Sequence, residues 1–333
     1  MPRRIAVPPA LLLVVLLLVA LGAAPAHAAR NRWRQVPTWN IAHQGGEDEF
    51  PSNTLYAFRR ALAAGADMLE LDIGVTKDGQ VVVMHDTTVD RITNGHGTIA
   101  SKTLAQIQRL DGAYWFAPGG GNAYRHNRPA RAYRFRGVAT GRMPPPRGFT
   151  ATDFRVTTLK AVLKAFPRTP INVEIKGRTK QEAVSEYLTN ADALARLLRT
   201  VHRKDLIVVS FKQQAVDRFH SLVPGLPLAP GVDGDAAWLL NNQSPGPGVV
   251  AFQVPITYMV GNALLQITTA GNVARAHRDG FAWQTWFADQ DVDGPASWRK
   301  LIDACVDGVM TARPVAFERV SRSHREPSSC PRP

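Results

Sequence analysis

The chain has 333 residues, 45% hydrophobic and 20% charged, with a formal charge of +13. That length buries a large core and exceeds the usual domain size of about 100–200 residues in the way α/β barrels commonly do, so one domain with an insertion is expected. The basic balance favours anionic partners, but the sequence holds no run of five like charges and no nucleic-acid motif, which sets nucleic-acid binding aside.

In chain order, the first element is an address. Arg3 and Arg4 precede an unbroken apolar run from Ala10 to about Ala24, followed by Ala26-His27-Ala28. This is the pattern of a secretory signal peptide over residues 1–28, with cleavage expected after Ala28 and a mature chain, residues 29–333, placed outside the cytoplasm. The run is too short and too poorly flanked to favour a membrane span.

From residue 39 onward short β-branched runs alternate with helical patterns, the signature of parallel strands joined by crossover helices. The strand candidates are Trp39–His43, Met68–Ile73, Val81–His85, Ile171–Ile175, Leu206–Ser210, Pro227–Ala229, Val249–Val254, Ala282–Trp286 and Gly308–Thr311. They number one more than an eight-stranded ring holds, and either Val249–Val254 or the weak Pro227–Ala229 segment is expected to lie outside it. The clearest helices are Thr54–Ala64 and Lys180–Val201, each with an apolar stripe at helical spacing. Between Asp72 and Val81 there is no room for a helix, so one barrel crossover is expected to be helix-free.

Residues from about 112 to 153 break the alternation with Gly119-Gly120-Gly121, Pro144-Pro145-Pro146 and arginines interleaved with tyrosines. A disordered linker is one reading of that composition. The apolar content of Trp115, Phe116, Tyr124, Tyr133, Phe135 and Phe149 argues instead for an ordered lid over the strand ends. The tail from about Ser321 is rich in Ser, Arg and Pro and is expected to be loose unless Cys330 anchors it. Cys305 and Cys330 are the two cysteines. After export a disulfide is expected, closing a loop of about 25 residues, with two unpaired thiols as the alternative.

The chemistry concentrates at strand ends. Glu70 and Asp72 lie two apart in Met-Leu-Glu-Leu-Asp-Ile, so both carboxylates project to one face of a strand while Leu69, Leu71 and Ile73 fill the other. Buried side by side, two acids repel unless a cation pairs them, and their hard oxygens suit Mg²⁺ or Ca²⁺. Glu174 and Lys176 repeat the spacing with one carboxylate and one ammonium. Either pair alone would be an ordinary half-exposed strand with a salt bridge. His43 and His85 each close an apolar strand, where a barrel gathers its catalytic groups, and an imidazole can carry protons near neutrality.

The run His43-Gln44-Gly45-Gly46, Pro51-Ser52-Asn53-Thr54, Glu70-Leu71-Asp72, Thr76-Lys77-Asp78-Gly79, His85-Asp86 and Arg91-Ile92-Thr93 resembles the glycerophosphodiester phosphodiesterase family. The resemblance continues through Val173-Glu174-Ile175-Lys176, Ser210-Phe211, Trp283–Trp286 and Val306–Thr311, and so covers nearly all of the chain after the signal. It implies a distorted (β/α)8 TIM barrel with a capping insertion after the third strand. It also implies hydrolysis of glycerophosphodiesters to sn-glycerol 3-phosphate and an alcohol, with a divalent cation, Mg²⁺ or Ca²⁺. The family's catalytic histidines fall on His43 and His85, its metal carboxylates on Glu70, Asp72 and Glu174, and its phosphate lysine on Lys176. Gln44 stands at the family's phosphate-gripping position, and Trp286, near a strand end, is expected in the core or mouth wall, with contact to the glycerol moiety as the other reading.

Two departures stand out: the family has His-Arg where this chain has His43-Gln44, and Pro-Glu-Asn-Thr where it has Pro51-Ser52-Asn53-Thr54. A glutamine offers only neutral donors in place of a bidentate cation, so a weaker phosphate grip is expected. The lost acid could be supplied by Glu47, Asp48 or Glu49, or the two losses could balance electrostatically. Three other functions stay open: a lysophospholipase D, which would need an apolar groove, a catalytically weak phospholipid or teichoic-acid binding protein, and a glycosidase. The last explains neither histidine. The expected partner is a small-molecule or lysolipid phosphodiester, with contact to anionic envelope surfaces open.

Overall fold

The computed structural model describes residues 31–331 apart from 36, 120–122 and 179–183, so the expected signal peptide lies outside the described residues. Ten strands are described: β1 (Trp39–Ala42), β2 (Met68–Val75), β3 (Val81–Val83), β4 (Ile171–Ile175), β5 (Leu206–Val209), β6 (Ala251–Pro255), β7 (Thr257–Val260), β8 (Ala263–Gln266), β9 (Ala282–Trp286) and β10 (Gly308–Thr311). Seven of them pair in parallel in the order β5-β4-β2-β1-β10-β9-β6. Leu228 bridges Val208 on one side and Val249 on the other, both in parallel. The segment Pro227–Ala229 therefore closes the sheet between β5 and β6 as the eighth member of a TIM-type barrel.

Both segments that were candidates for exclusion thus belong to the ring, and the surplus strand is β3. It runs antiparallel to β2, with Ile73 opposite Val83 and Val75 opposite Val81. The physical reason is length. β2 pairs with β1 only at Met68 and Leu69 and then continues beyond the rim to Val75. Thr76–Gln80 turns the chain back, so the segment expected to be a helix-free crossover is a hairpin above the barrel mouth.

Threonine caps start three of the crossover helices. Thr54, Thr158 and Thr269 accept the N–H groups of Ala57, Ala161 and Asn272, each at 3.1 Å, opening Leu55–Ala63, Leu159–Ala165 and Ala270–Arg278. The helix expected from Lys180 runs over Ser185–Leu198, and Lys180 itself lies outside the described residues. Strand alternation sorts the core: Leu69, Leu71 and Ile73 pack outward with Val173, Leu194 and Val208 beneath the helices, while Ile41, Met68, Ile207 and Met310 face the barrel axis. At that axis Gln253 Nε2 donates to Asn172 Oδ1 at 3.0 Å and to Gln284 Oε1 at 2.8 Å, a polar plug in which Gln284 Nε2 is left without a partner.

The insertion is ordered, but it packs beside the barrel. Tyr56 of the first helix meets Phe149 and Phe154 at ring-centroid distances of 4.7 and 4.4 Å, and Phe116 and Tyr124 join Val82, Met84 and Ile92 under the hairpin. The guanidinium of Arg136 lies over Tyr114, Trp115 and Tyr133 at 4.2, 4.7 and 4.0 Å, which explains the interleaving of arginine and tyrosine as packing. Among the described residues, none from 112–153 lines the cleft at the barrel mouth, so the expected lid is not provided by this segment.

The tail is tied down. The last helix continues to Ser323, Thr38 Oγ1 donates to Glu326 at 2.6 Å, and Cys305 and Cys330 are bridged. With a sequence separation of 25, this bridge stabilises the fold by roughly 3 kcal/mol on loop entropy. Replacing both cysteines by serine is expected to lower the urea unfolding free energy by about that amount without loss of activity, and an unchanged unfolding midpoint would refute it.

Candidate active site

Register builds the site layer by layer. Parallel pairing sets Glu70 beside Asn172 and Asp72 beside Glu174. The three carboxylates are buried, and one ligand atom from each lies within 4.8 Å of the others. Such crowding is costly without a cation. Burial, reinforced by the neighbouring charge of Asp72, pushes Glu70 up to about 8. Burial acts the same way on Asp72, but Lys176, His85 and His43 outweigh it and hold this acid below its usual range. Lys176 Nζ lies 2.7 Å from Glu174 Oε1 and 3.3 Å from Asp72 Oδ1. Asn53, held in the left-handed region at φ 56°, donates to Asp72 Oδ2 at 3.1 Å. Asp72 Oδ1 accepts no hydrogen bond. Buried, acceptor-only oxygens on two strands, of which Asp72 Oδ1 and Glu174 Oε1 accept no hydrogen bond and meet only the ammonium of Lys176, fit a hard divalent cation such as Mg²⁺ or Ca²⁺.

His43 follows β1 in a tight turn. Gly45 and Gly46 take φ of 79° and 90°, and a Cβ on Gly46 would meet Pro314 at 2.7 Å, so this turn tolerates little but glycine. The turn delivers the Gln44 N–H to Glu70 Oε2 at 2.8 Å and leaves the Gln44 Oε1 buried without a partner. It also decides which loop acid enters the site. Glu47 Oε1 lies 2.9 Å from His43 Nδ1, whereas Asp48 pairs with Arg313 at 2.9 Å and Glu49 accepts from Val315 N–H at 2.8 Å. Burial disfavours the charged imidazole of His43, but Glu70, Glu47 and Asp72 together raise it to about 10.

His85 arrives from the other direction. Because β3 descends from the hairpin, Met84 N–H bonds to Asp72 O at 2.9 Å and His85 is set down at the level of the carboxylates. Its Nδ1 lies 2.8 Å from Asp86 Oδ1, and Arg91 Nε donates to Asp86 Oδ2 at 2.7 Å. Burial works against the charge on Asp86, yet His85 and Arg91 hold its carboxyl well below the usual range. A carboxylate only accepts, so Nδ1 carries the proton and Nε2 is left to face the cleft. Arg91 is backed by the Tyr124 ring at 5.1 Å, and Tyr124 Oη in turn accepts the Ser52 N–H at 2.5 Å. The Arg91–Asp86 relay was missed as part of the site, although His85-Asp86 and Arg91 are visible as motif residues. Asp86→Ala is expected to lower kcat about ten- to a hundredfold with little change in KM, by releasing the ring. Unaltered kcat would dismiss this orienting role.

His43, Gln44, Glu70, His85, Glu174 and Lys176 all line one cleft of about 770 Å³, and Trp286 lines it too, 5.4 Å from the Phe211 ring, with its Nε1 donating to Gln253 O at 3.1 Å. Asp72 lies beneath the cleft floor, reached through the carboxylate cluster. The far wall is apolar. It is built from helix Val232–Asn241, where Leu239 and Leu240 face the cleft, and from the β7–β8 hairpin with Tyr258, Met259 and Leu265. Nothing in the sequence marked this wall, because the exposed hairpin reads as one more short apolar run.

The sequence profile of the glycerophosphoryl diester phosphodiesterase family matches residues 43–316. The Bacillus subtilis protein YhdW, named for the same activity, is 30% identical over 275 residues, covering 82% of this chain and 94% of its own. Among solved structures, a glycerophosphodiester phosphodiesterase from Agrobacterium tumefaciens superposes with a TM-score of 0.58 at 22% identity, covering 85% of this chain and all of its own (100%). A phosphodiesterase from Oleispira antarctica, solved with the product sn-glycerol-3-phosphate, gives 0.58 at 18% identity over 84% of this chain and 95% of its own. The Agrobacterium and Oleispira structures share the barrel.

Proposed function

The chain belongs to the glycerophosphoryl diester phosphodiesterase family and is a glycerophosphodiester phosphodiesterase; on that premise we propose that it is an exported, cation-dependent hydrolase releasing sn-glycerol 3-phosphate and an alcohol. One observation carries this reading: the buried Glu70, Asp72 and Glu174 cluster opens into a cleft flanked by two histidines, each oriented by a carboxylate. Export rests on the pattern of residues 1–28 and on the Cys305–Cys330 bridge, which suits an oxidising compartment.

Glu70, Asp72 and Glu174 would hold the cation, Mg²⁺ or Ca²⁺, which when bound offsets charge developing on the phosphoryl oxygens. Lys176 places a second positive charge at the same end of the cleft, where Gln44 supplies none. His85, its ring fixed by Asp86, presents Nε2 to the substrate, while His43 is fixed by Glu47. As water adds to phosphorus and the alcohol leaves, one imidazole takes the proton from the nucleophile and the other delivers one to the departing oxygen.

The test incubates purified protein with glycerophosphocholine, with Mg²⁺ or Ca²⁺ and with EDTA, and assays glycerol 3-phosphate and choline. Both products should appear and EDTA should abolish them. Binding without turnover would favour the binding-protein reading. A second activity, lysophospholipase D, is favoured by the apolar wall, whose Leu240, Met259 and Val260 are 73%, 46% and 56% exposed and could cover an acyl chain. Choline release from lysophosphatidylcholine at a rate comparable to glycerophosphocholine would establish it.

A further inference from the structure

Two acids lining the cleft have no part in the chemistry above, the exposed Asp289 and the half-buried Asp235. Helix Val232–Asn241 starts at the barrel mouth just after the closing strand, with Val232 N–H bonded to Phe211 O at 3.2 Å. Val232, Asp235, Ala236 and Leu239, spaced i, i+3, i+4 and i+7, form one stripe, and all four line the cleft. Asp235 is the single charged residue of that stripe. Among the described residues its carboxyl accepts no hydrogen bond and forms no ion pair, and its Oδ1 is shielded from solvent. It does not cap its helix either, since the N-cap is Gly231 and no side-chain cap bond is made. Burial alone pushes its pKa well above the carboxylate range.

A carboxyl left unpaired in an apolar wall costs stability, and such a group is seldom retained without a ligand to satisfy it. The cleft adds Tyr258 and Trp286, whose rings attract cations, while the Phe211 ring already lies under Lys176 Nζ at 5.3 Å. We propose that Asp235 is a specificity-determining residue that receives a cationic group, a primary or quaternary ammonium, on the alcohol half of the substrate. This rests on the phosphodiesterase reading. It selects ethanolamine- and choline-type phosphodiesters over those of neutral alcohols, using the wall formed by helix Val232–Asn241.

The experiment compares the parent enzyme with Asp235→Asn on glycerophosphocholine and glycerophosphoethanolamine, and on glycerophosphoglycerol as the neutral control. KM for the two cationic substrates should rise about tenfold or more with kcat little changed, and the neutral substrate should be unaffected. Equal changes on all three, or none, overturn the proposal. Isothermal titration with choline alone provides an arm that needs no turnover: the parent should bind it and the variant should bind about tenfold more weakly. Equal binding by both, or none by the parent, also overturns it. Asp235-dependent choline binding without hydrolysis of any substrate would instead fault the phosphodiesterase reading. The variant removes an unpaired, half-buried acid, so its thermal midpoint should not fall.

Discussion

Glu70→Gln is expected to lose about a thousandfold or more in kcat/KM and, with it, the response to divalent cations. Glu70 sits between Asp72 and His43, its Oε2 accepting the Gln44 N–H at 2.8 Å, so the amide keeps the volume but cannot supply an anionic ligand. Added Mg²⁺ or Ca²⁺ should raise the thermal midpoint of the parent and EDTA should lower it. The variant should show neither effect, while its cation-free midpoint should match or exceed the parent's, since one of three crowded acids is gone. The pH dependence follows from the same group. Its folded-state pKa, raised to about 8 from 4.5, means the cation-free fold holds a proton there that the unfolded chain has given up. Stability of the cation-free protein therefore falls as pH climbs through that window. A cation must displace that proton, so its apparent affinity rises with pH over the same window and levels off above it. In Glu70→Gln this site contributes to neither slope. A variant that still gains stability from the cation would refute the assignment of Glu70 as a ligand.

How much of this was legible depended on whether a period-two pattern carried it. Glu70, Asp72 and Glu174 stood out because acids at alternate positions of apolar strands must share a face, and parallel register then brings the strands side by side. The barrel was legible for the same reason, and the disulfide from cysteine usage. The direction of β3 was not. Val81, Val82 and Val83 read as a buried strand either way, and only the overshoot of β2 past the rim shows that the chain turns back. His85 reaches the mouth regardless, because descending two residues beyond Val83 returns it to the level of Asp72. The role of Pro227–Ala229 was obscured by its length: it closes the ring with a single bridging residue, Leu228, on each side.

Features fixed by turns and by helical faces were hidden. Three consecutive acids, Glu47, Asp48 and Glu49, are equivalent in the sequence, and the left-handed φ of Gln44, at 50°, with the glycines after it, selects Glu47 for His43. Glu47 thus brings a carboxylate into the neighbourhood that lost the family's acid at Ser52. Tyr124 contributes a neutral hydroxyl to the Ser52 backbone from the insertion, so that segment supports the site from behind although none of its described residues lines the cleft. Asp235 was invisible because its meaning lies in what surrounds it, an apolar stripe with no partner.

His85→Ala tests the other half of the mechanism and should reduce kcat about 10²- to 10⁴-fold while leaving cation-induced stabilisation intact. The imidazole stands at the cleft rim, 39% exposed, and bonds to Asp86, so its removal opens no core cavity and leaves Glu70, Asp72 and Glu174 in place. The size of the loss should depend on the leaving group if His85 is the acid. An alcohol departs from phosphorus only with a proton, whereas a nitrophenolate departs without one, so a glycerophospho-nitrophenyl ester should be hydrolysed by the variant nearly as fast as by the parent. If His85 is instead the base, the deficit persists on both substrates and His43→Ala shows the leaving-group dependence. Because His43 lies 3.9 Å from Glu70 Oε2, its substitution should also shift cation affinity. Retention of turnover within a few-fold by His85→Ala, on every substrate, would remove it from the chemistry altogether.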